Sequence, residues 1–162
     1  MVHRPSVRTQ HANENNMYDP ATVAIVGAGN MGAGIAQKIA QEGYTVLLAD
    51  VDLERARAGR DHIEASLKQA VKRRILSEDQ SAATLQRITA VGRLEELGGA
   101  DLVIEAIFEN LGIKKQLLAN LDRHCHENCV LATNTSSFYV QQLADVTNRP
   151  HQVVGLHYFY HP

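Results

Sequence analysis

A strong excess of charge of one sign is missing from this chain. Its 162 residues carry 16 basic and 18 acidic side chains, a formal net charge of −2. That balance excludes a general nucleic-acid or membrane-surface binder and leaves binding of a small molecule open. No run of 18 apolar residues occurs, so no transmembrane helix is expected. Cysteine is scarce, two residues in all. Two are too few for a disulfide framework, and a reducing compartment, the cytoplasm, is the expected setting. Internal repeats and low-complexity tracts are also lacking. What is present suffices for one globular domain with a core, since 44% of the residues are hydrophobic; two domains of ordinary size would not fit.

The chain is organised around Thr22 to Gly34. Val23, Ala24, Ile25 and Val26 form an all-apolar run, as expected of a parallel strand buried on both faces. It ends in three spaced glycines, Gly27, Gly29 and Gly32. The first allows a tight turn off the strand, the second leaves no Cβ between backbone and a pyrophosphate, and the third lets the next helix pack closely. Free N–H groups at the start of that helix then point at the phosphates. Ile35, Ala36, Ile39 and Ala40 give the helical spacing, and a second apolar strand, Tyr44 to Ala49, ends in Asp50. An acid at that strand tip is placed to accept both ribose hydroxyls of an adenosine. Together these features predict a dinucleotide site.

Residues 1–20 are polar, with almost nothing to bury, and read as a disordered extension. They lack acids before Glu14, as organelle-targeting leaders do, but no amphipathic helix accompanies this. Either Met1 or Met17 serves as the start. From Asp52 to Arg74, Leu53, Ala56, Ile63, Leu67, Ala70 and Val71 recur at helical spacing and predict a long helix. Its basic end, Lys72, Arg73 and Arg74, either complements the helix terminus in solvent or receives an anionic substrate tail. Ser77 to Leu85 predicts a short helix, with Ser77 as N-cap and Gln80 in capping-box position. Ile88 to Val91 predicts a strand.

Asp101 to Phe108 predicts the next strand, with Glu105 in its middle. A buried carboxylate is costly unless paired, so Glu105 is expected near the carboxyl edge of the sheet, where ligands bind. A helix over Leu111–Cys125 and a strand over Val130–Thr133 follow. Beyond the polar turn Asn134–Ser137 come a helix over Tyr139–Val146, stopped by Pro150, and a last strand over Val153–Phe159 carrying His157. Strands alternating with helices in this order predict a parallel sheet with helices on both faces. The run His124-Cys125-His126-Glu127-Asn128-Cys129 holds zinc-capable side chains. No second ligand pair follows at zinc-finger spacing, and no metal is expected.

Four stretches in fixed order carry a specific resemblance: Gly-Ala-Gly-Asn-Met-Gly-Ala-Gly-Ile-Ala at 27–36, Val-Ile-Glu-Ala-Ile-Phe-Glu-Asn at 103–110, Asn-Thr-Ser-Ser at 134–137 and Gly-Leu-His at 155–157. They resemble the NAD-binding domain of L-3-hydroxyacyl-CoA dehydrogenases, over nearly everything from Thr22 on. The resemblance implies a Rossmann-type, doubly wound and mainly parallel α/β domain over residues 21–162. It implies NAD as cofactor and interconversion of L-3-hydroxyacyl-CoA and 3-oxoacyl-CoA, as in fatty-acid β-oxidation. By position, His157 matches the general base and Ser136 the serine that hydrogen-bonds the substrate oxygen. Imidazole suits that task because it exchanges protons near neutrality. Gly27, Gly29, Asn30, Met31, Gly32, Asp50, Glu109, Lys114 and Asn134 match cofactor contacts. Ser66 and Arg73 match contacts to coenzyme A, with Arg73 in place of the more familiar lysine.

NAD is expected over NADP, because Asp50 would repel a 2′-phosphate and no arginine follows it immediately; Arg55, one helical turn on, is the residue able to overturn this. After His157 the family's asparagine is replaced by Tyr160 or displaced by an insertion. The carboxylate that orients the histidine, and the helical domain that closes over the acyl chain and builds the dimer, come later in the family than Pro162. The alternative expectation is a truncated NAD-binding module with no turnover of its own, complemented by another polypeptide or simply a fragment; a homodimer or a missing C-terminal domain is the expected partner. A dehydrogenase of a hydroxy acid not attached to CoA is the other enzyme reading.

Overall fold

The run without polar side chains becomes the middle of a sheet. The computed structural model describes residues 20–159; the extension before Pro20 and the substituted Tyr160 lie outside the described residues. The strands are β1 (Thr22–Val26), β2 (Thr45–Ala49), β3 (Ile88–Val91), β4 (Leu102–Glu105), β5 (Val130–Thr133) and β6 (Val153–Gly155). The helices between them are α1 (Asn30–Gln41), α2 (Leu53–Lys72), α3 (Glu78–Gln86), α4 (Leu111–His124) and α5 (Val140–Ala144). The sheet has the order β3-β2-β1-β4-β5-β6, and all neighbours are parallel. Parallel neighbours need crossovers, which lay the helices over the faces. Ala24, Val26, Val103 and Leu131 pack one face against Leu118 and Leu121 of α4 and Leu143 of α5. Val23, Ile25, Val46 and Leu48 pack the other against Ile35 of α1 and Ile63 and Leu67 of α2. Among the described residues no helix is long and apolar enough to cross a membrane.

The helix ends follow from local chemistry. Asp52 caps α2 by accepting the Arg55 N–H at 2.8 Å. The capping box at α3 is reciprocal: Gln80 N–H donates to Ser77 Oγ at 3.1 Å and Ser77 N–H to Gln80 Oε1 at 2.9 Å. α2 leaves through Arg74 at φ 59°. There the Arg74 and Ile75 N–H groups return to Val71 and Ala70, a Schellman exit without its usual glycine.

At the end of α4 a buried Asp122 accepts three bonds, from Asn148 N–H at 2.9 Å, Asn148 Nδ2 at 2.8 Å and Arg149 Nε at 2.7 Å. Arg149 also donates to the carbonyls of Asp122, Cys125 and His126. One guanidinium thus caps the last turn of α4 and ties it to the loop before β6. Burial pushes the Asp122 carboxyl up, but the Asn148 amide and the Arg149 guanidinium outweigh it and hold the group below the usual carboxylate range. A carboxyl lowered in this way contributes stability that is present above its unfolded value, about 3.9, and lost as pH falls through the folded value. Acid unfolding followed by circular dichroism should therefore set in below about pH 4. Asp122→Asn should flatten that limb while lowering stability at neutral pH. An unchanged acid limb in the variant would remove Asp122 from the account.

Two strands end earlier than the apolar pattern predicts. β4 stops at Glu105 rather than Phe108, because the Ile107 N–H turns back onto the Glu105 carboxylate at 2.8 Å. β6 stops at Gly155 rather than Phe159. Leu156 N–H still reaches Thr133 O at 3.0 Å, but Tyr158 N–H goes to the Asn134 side chain at 2.8 Å. Leu156 and Tyr158 are apolar because they pack against the core, and His157 lies on the loop beyond the strand. α5 is also shorter than Tyr139–Val146, and a 3-10 turn at Leu94–Leu97 was not anticipated.

Register then fixes where function can lie. Val26 stands opposite Ala49 and Glu105, Glu105 opposite Thr133, and Thr133 opposite Gly155. Whatever follows these five residues emerges at one carboxyl edge.

Candidate cofactor site at the carboxyl edge of the sheet

The glycine loop is clamped between β1, β4 and α1. Gly27 donates to Ala49 O at 2.8 Å and holds φ at +105°. A Cβ there would lie 2.6 Å from Ala106 O, and one on Gly32 would lie 1.7 Å from Gly27 O. A Cβ on Gly29 would meet nothing within 4 Å. Gly29 is also the N-cap of α1, which has no side-chain cap and no acid in its first turn. The first-turn amides, those of Asn30, Met31 and Gly32, therefore face an open cradle with their donors available to an anion.

At the tip of β2, Asp50 Oδ2 accepts the Ala28 N–H at 2.6 Å and Oδ1 accepts the Val51 N–H at 2.8 Å. One carboxylate thus both braces the loop and stands where a ribose would arrive. Beside it an apolar cleft of about 290 Å³ is lined by Val26, Val51, Gly92, Ile113 and Leu117, a setting for a flat ring. Arg55 is exposed on the first turn of α2. The residues present fit a dinucleotide, with its adenosine half over β1 to β3 and its other half over β4 to β6.

The second half is built on a buried ion pair. Lys114, on the first turn of α4, is fully buried with Glu105. Its Nζ lies 2.6 Å from Glu105 Oε1, 3.2 Å from Glu109 Oε2 and 3.3 Å from Ile107 O. Glu105 Oε2 accepts the Thr133 hydroxyl at 2.6 Å. Glu109 Oε1 accepts the Thr135 hydroxyl and the N–H groups of Ser136 and Ser137. Partial burial pushes the Glu109 carboxyl up, but the Thr135 hydroxyl, the Lys114 ammonium and the Ser137 amide outweigh it and hold it below the usual range. Lys114 therefore faces carboxylates rather than solvent, and it reaches a ligand only through Glu109.

Ser136 is exposed just past β5, and His157 is exposed just past the neighbouring β6. The bond from Tyr158 N–H to Asn134 Oδ1 ties the two loops together, and the His157 ring lies against Phe159 with centroids 4.4 Å apart. Among the described residues no carboxylate is bonded to His157. Ser66 stands exposed on α2 and Arg73 exposed at its C-cap, seven residues and hence about two turns further along the same side, outside the bonded cluster. Cys125 and Cys129 are buried thiols, and among the described residues no three metal-capable side chains converge.

Sequence reasoning missed the partners. The signal for Lys114 was Glu105 itself, a lone acid in an apolar strand that required a cation. Nothing marked Thr133 and Thr135 as its polar surround, or Ala28 as the partner of Asp50.

Known proteins resemble this chain in sequence and in fold. The family model "3-hydroxyacyl-CoA dehydrogenase, NAD binding domain" matches residues 22–162. The probable 3-hydroxybutyryl-CoA dehydrogenase of Bacillus subtilis is 40% identical over 136 residues, which are 84% of this chain and 47% of that protein. The 3-hydroxyadipyl-CoA dehydrogenase of Escherichia coli is 41% identical over 88% of this chain and 30% of its own length. The crystal structure of the (S)-3-hydroxybutyryl-CoA dehydrogenase of Ralstonia eutropha superposes with a TM-score of 0.84 at 38% identity, over 87% of this chain and 50% of that one. The chain thus spans half or less of the length of these relatives. With the sheet order, the glycine cradle and the family match in agreement, this chain belongs to the 3-hydroxyacyl-CoA dehydrogenase family, and residues 22–162 are its NAD-binding domain.

Proposed function

We propose that the chain is the cofactor-binding half of an NAD-dependent dehydrogenase that interconverts L-3-hydroxyacyl-CoA and 3-oxoacyl-CoA. The observation that carries this is the 2.8 Å bond from Tyr158 N–H to Asn134, which seats the His157 loop beside the Ser136 turn on the half of the sheet away from the adenosine. NAD, when bound, accepts the hydride from the substrate carbon. His157 takes the proton of the substrate hydroxyl, whose oxygen stays on as the carbonyl oxygen, and returns it in the reverse direction. The Ser136 hydroxyl bonds the same oxygen and fixes it relative to the imidazole, while Glu109, by accepting the Ser136 and Ser137 amides, holds the turn in place. Ser66 and Arg73 belong to the same proposal as contacts for the CoA moiety, supported by their shared helix face and by the affinity of guanidinium for phosphate. A cytoplasmic setting belongs to it as well, supported by the two buried thiols.

The test is NADH oxidation with acetoacetyl-CoA, comparing the chain with His157→Ala. Turnover should fall in the variant by about 10²–10⁴ with NAD affinity unchanged. Equal rates in both would eliminate His157 as the base. Binding of NAD with no turnover in either would mean that catalysis needs a further polypeptide segment. Reaction with free acetoacetate as fast as with the thioester would favour a hydroxy acid not attached to CoA.

A further inference from the structure

Two carboxylates bracket one ammonium beneath the second half of the dinucleotide site. The groups on Glu105 donate to it: Lys114 Nζ and Ile107 N–H to Oε1 at 2.6 and 2.8 Å, and the Thr133 hydroxyl to Oε2 at 2.6 Å. An ammonium and an amide on one oxygen and a hydroxyl on the other are the partners that a carboxylate, an acceptor on both oxygens, calls for. Glu109 likewise receives donors, from Lys114, Thr135, Ser136 and Ser137. The cluster therefore carries one negative charge in excess. Glu105 and Lys114 are both at 0% exposure, so water screens that charge poorly. The oxidised nicotinamide ring is cationic and the reduced ring is neutral. In a sheet of this order the ring lies over the carboxyl ends of β4 and β5, which end in Glu105 and Thr133.

We propose that the Glu105–Lys114–Glu109 cluster biases this site toward the oxidised cofactor, and that Glu105, which touches neither cofactor nor substrate, supplies the excess charge. Were Glu105 neutral, Lys114 would simply cancel Glu109. Glu105 is a positioning residue that acts through its charge, and the proposal rests on the cofactor assignment rather than on the acyl-CoA reading.

Titration calorimetry of the whole chain with NAD⁺ and with NADH tests it. In Glu105→Gln the ratio Kd(NAD⁺)/Kd(NADH) should rise about tenfold, the effect of a unit charge within about 10 Å at an effective dielectric near 20. Glu105→Asp keeps the charge and should leave the ratio near the parent value, even where both affinities fall. Should Glu105→Gln fail to fold, Glu109→Gln removes the same charge from the half-exposed end and must move the ratio in the same direction. A ratio that stays within about twofold of the parent in a folded charge-removing variant overturns the proposal, whatever the separate affinities do. No turnover is needed, so a chain that binds both cofactors and ignores acetoacetyl-CoA would count against the function above and leave this test decisive.

Discussion

Lys114→Met is expected to lower the unfolding free energy by about 3–5 kcal/mol, a fall in Tm of roughly 10–20 °C for a domain of this size. Methionine fills nearly the same volume, so the loss is one of charge rather than packing. What it leaves behind is the Glu105 carboxylate at 0% exposure, held by a hydroxyl and one amide and deprived of its ammonium. Breaking a buried pair on one side costs far more than removing both partners. The double variant Lys114→Met with Glu105→Leu should therefore recover more than half of the loss in chemical denaturation. A single-variant cost below about 1 kcal/mol would mean that water reaches the pair and that the cluster is not buried in solution.

Gly32→Ala should be the other severe change, and Gly29→Ala its control. A methyl on Gly32 would stand 1.7 Å from Gly27 O and 2.9 Å from its carbonyl carbon. Both are backbone atoms, and Gly27 is tied to β2 by its N–H bond to Ala49 O, so neither side yields readily. The variant should lose about 3 kcal/mol or more, and NAD affinity by at least about 100-fold, because α1 is driven off the loop. A methyl on Gly29 meets no protein atom within 4 Å. Its φ of −70° is open to any residue. Gly29→Ala should keep its Tm and lose cofactor affinity alone, since the methyl occupies the cradle. If both variants kept parental Tm and NAD binding by calorimetry, the clamp described for the loop would be wrong.

The two glycines illustrate which parts of the molecule were legible in the sequence. Glycine spacing, the apolar runs of β1, β2, β4 and β5 and the acid at Asp50 are local signals, and each sits where local chemistry places it. The ends of β4 and β6 leave no mark in the apolar pattern. They are set by the Glu105 carboxylate capturing the Ile107 N–H and by the Asn134 side chain capturing the Tyr158 N–H, while the apolar pattern runs on through both, with Ile107, Leu156 and Tyr158 packed on the core and Phe108 and Phe159 exposed. Lys114 was harder still. In sequence it is one of two adjacent lysines on an amphipathic helix, and only the crossing of α4 over β4 turns it inward. The Asp122–Arg149 tie joins residues 27 apart through an element boundary that no periodicity marks. Ser66 and Arg73 were legible through the resemblance, because an exposed helix face carries little physical signature of its ligand beyond the guanidinium itself.

The line between β1 and β4 divides more than the ligand. Everything on one side, β1 to β3 with α1 to α3, comes from the unbroken stretch 22–91, and everything on the other, β4 to β6 with α4 and α5, from 102–155. The connection between them is the short segment that holds the Leu94–Leu97 turn. Across the line run the ladder of one strand pair and the Asp101 carboxylate, which accepts the Ala21 and Thr22 amides. The glycine cradle and Asp50 are thus encoded in one contiguous block and the Ser136 and His157 loops in the other, with the apolar cleft beside Asp50, lined from both by Val51 and Leu117, as the seam that any change to one block must keep matched to the other.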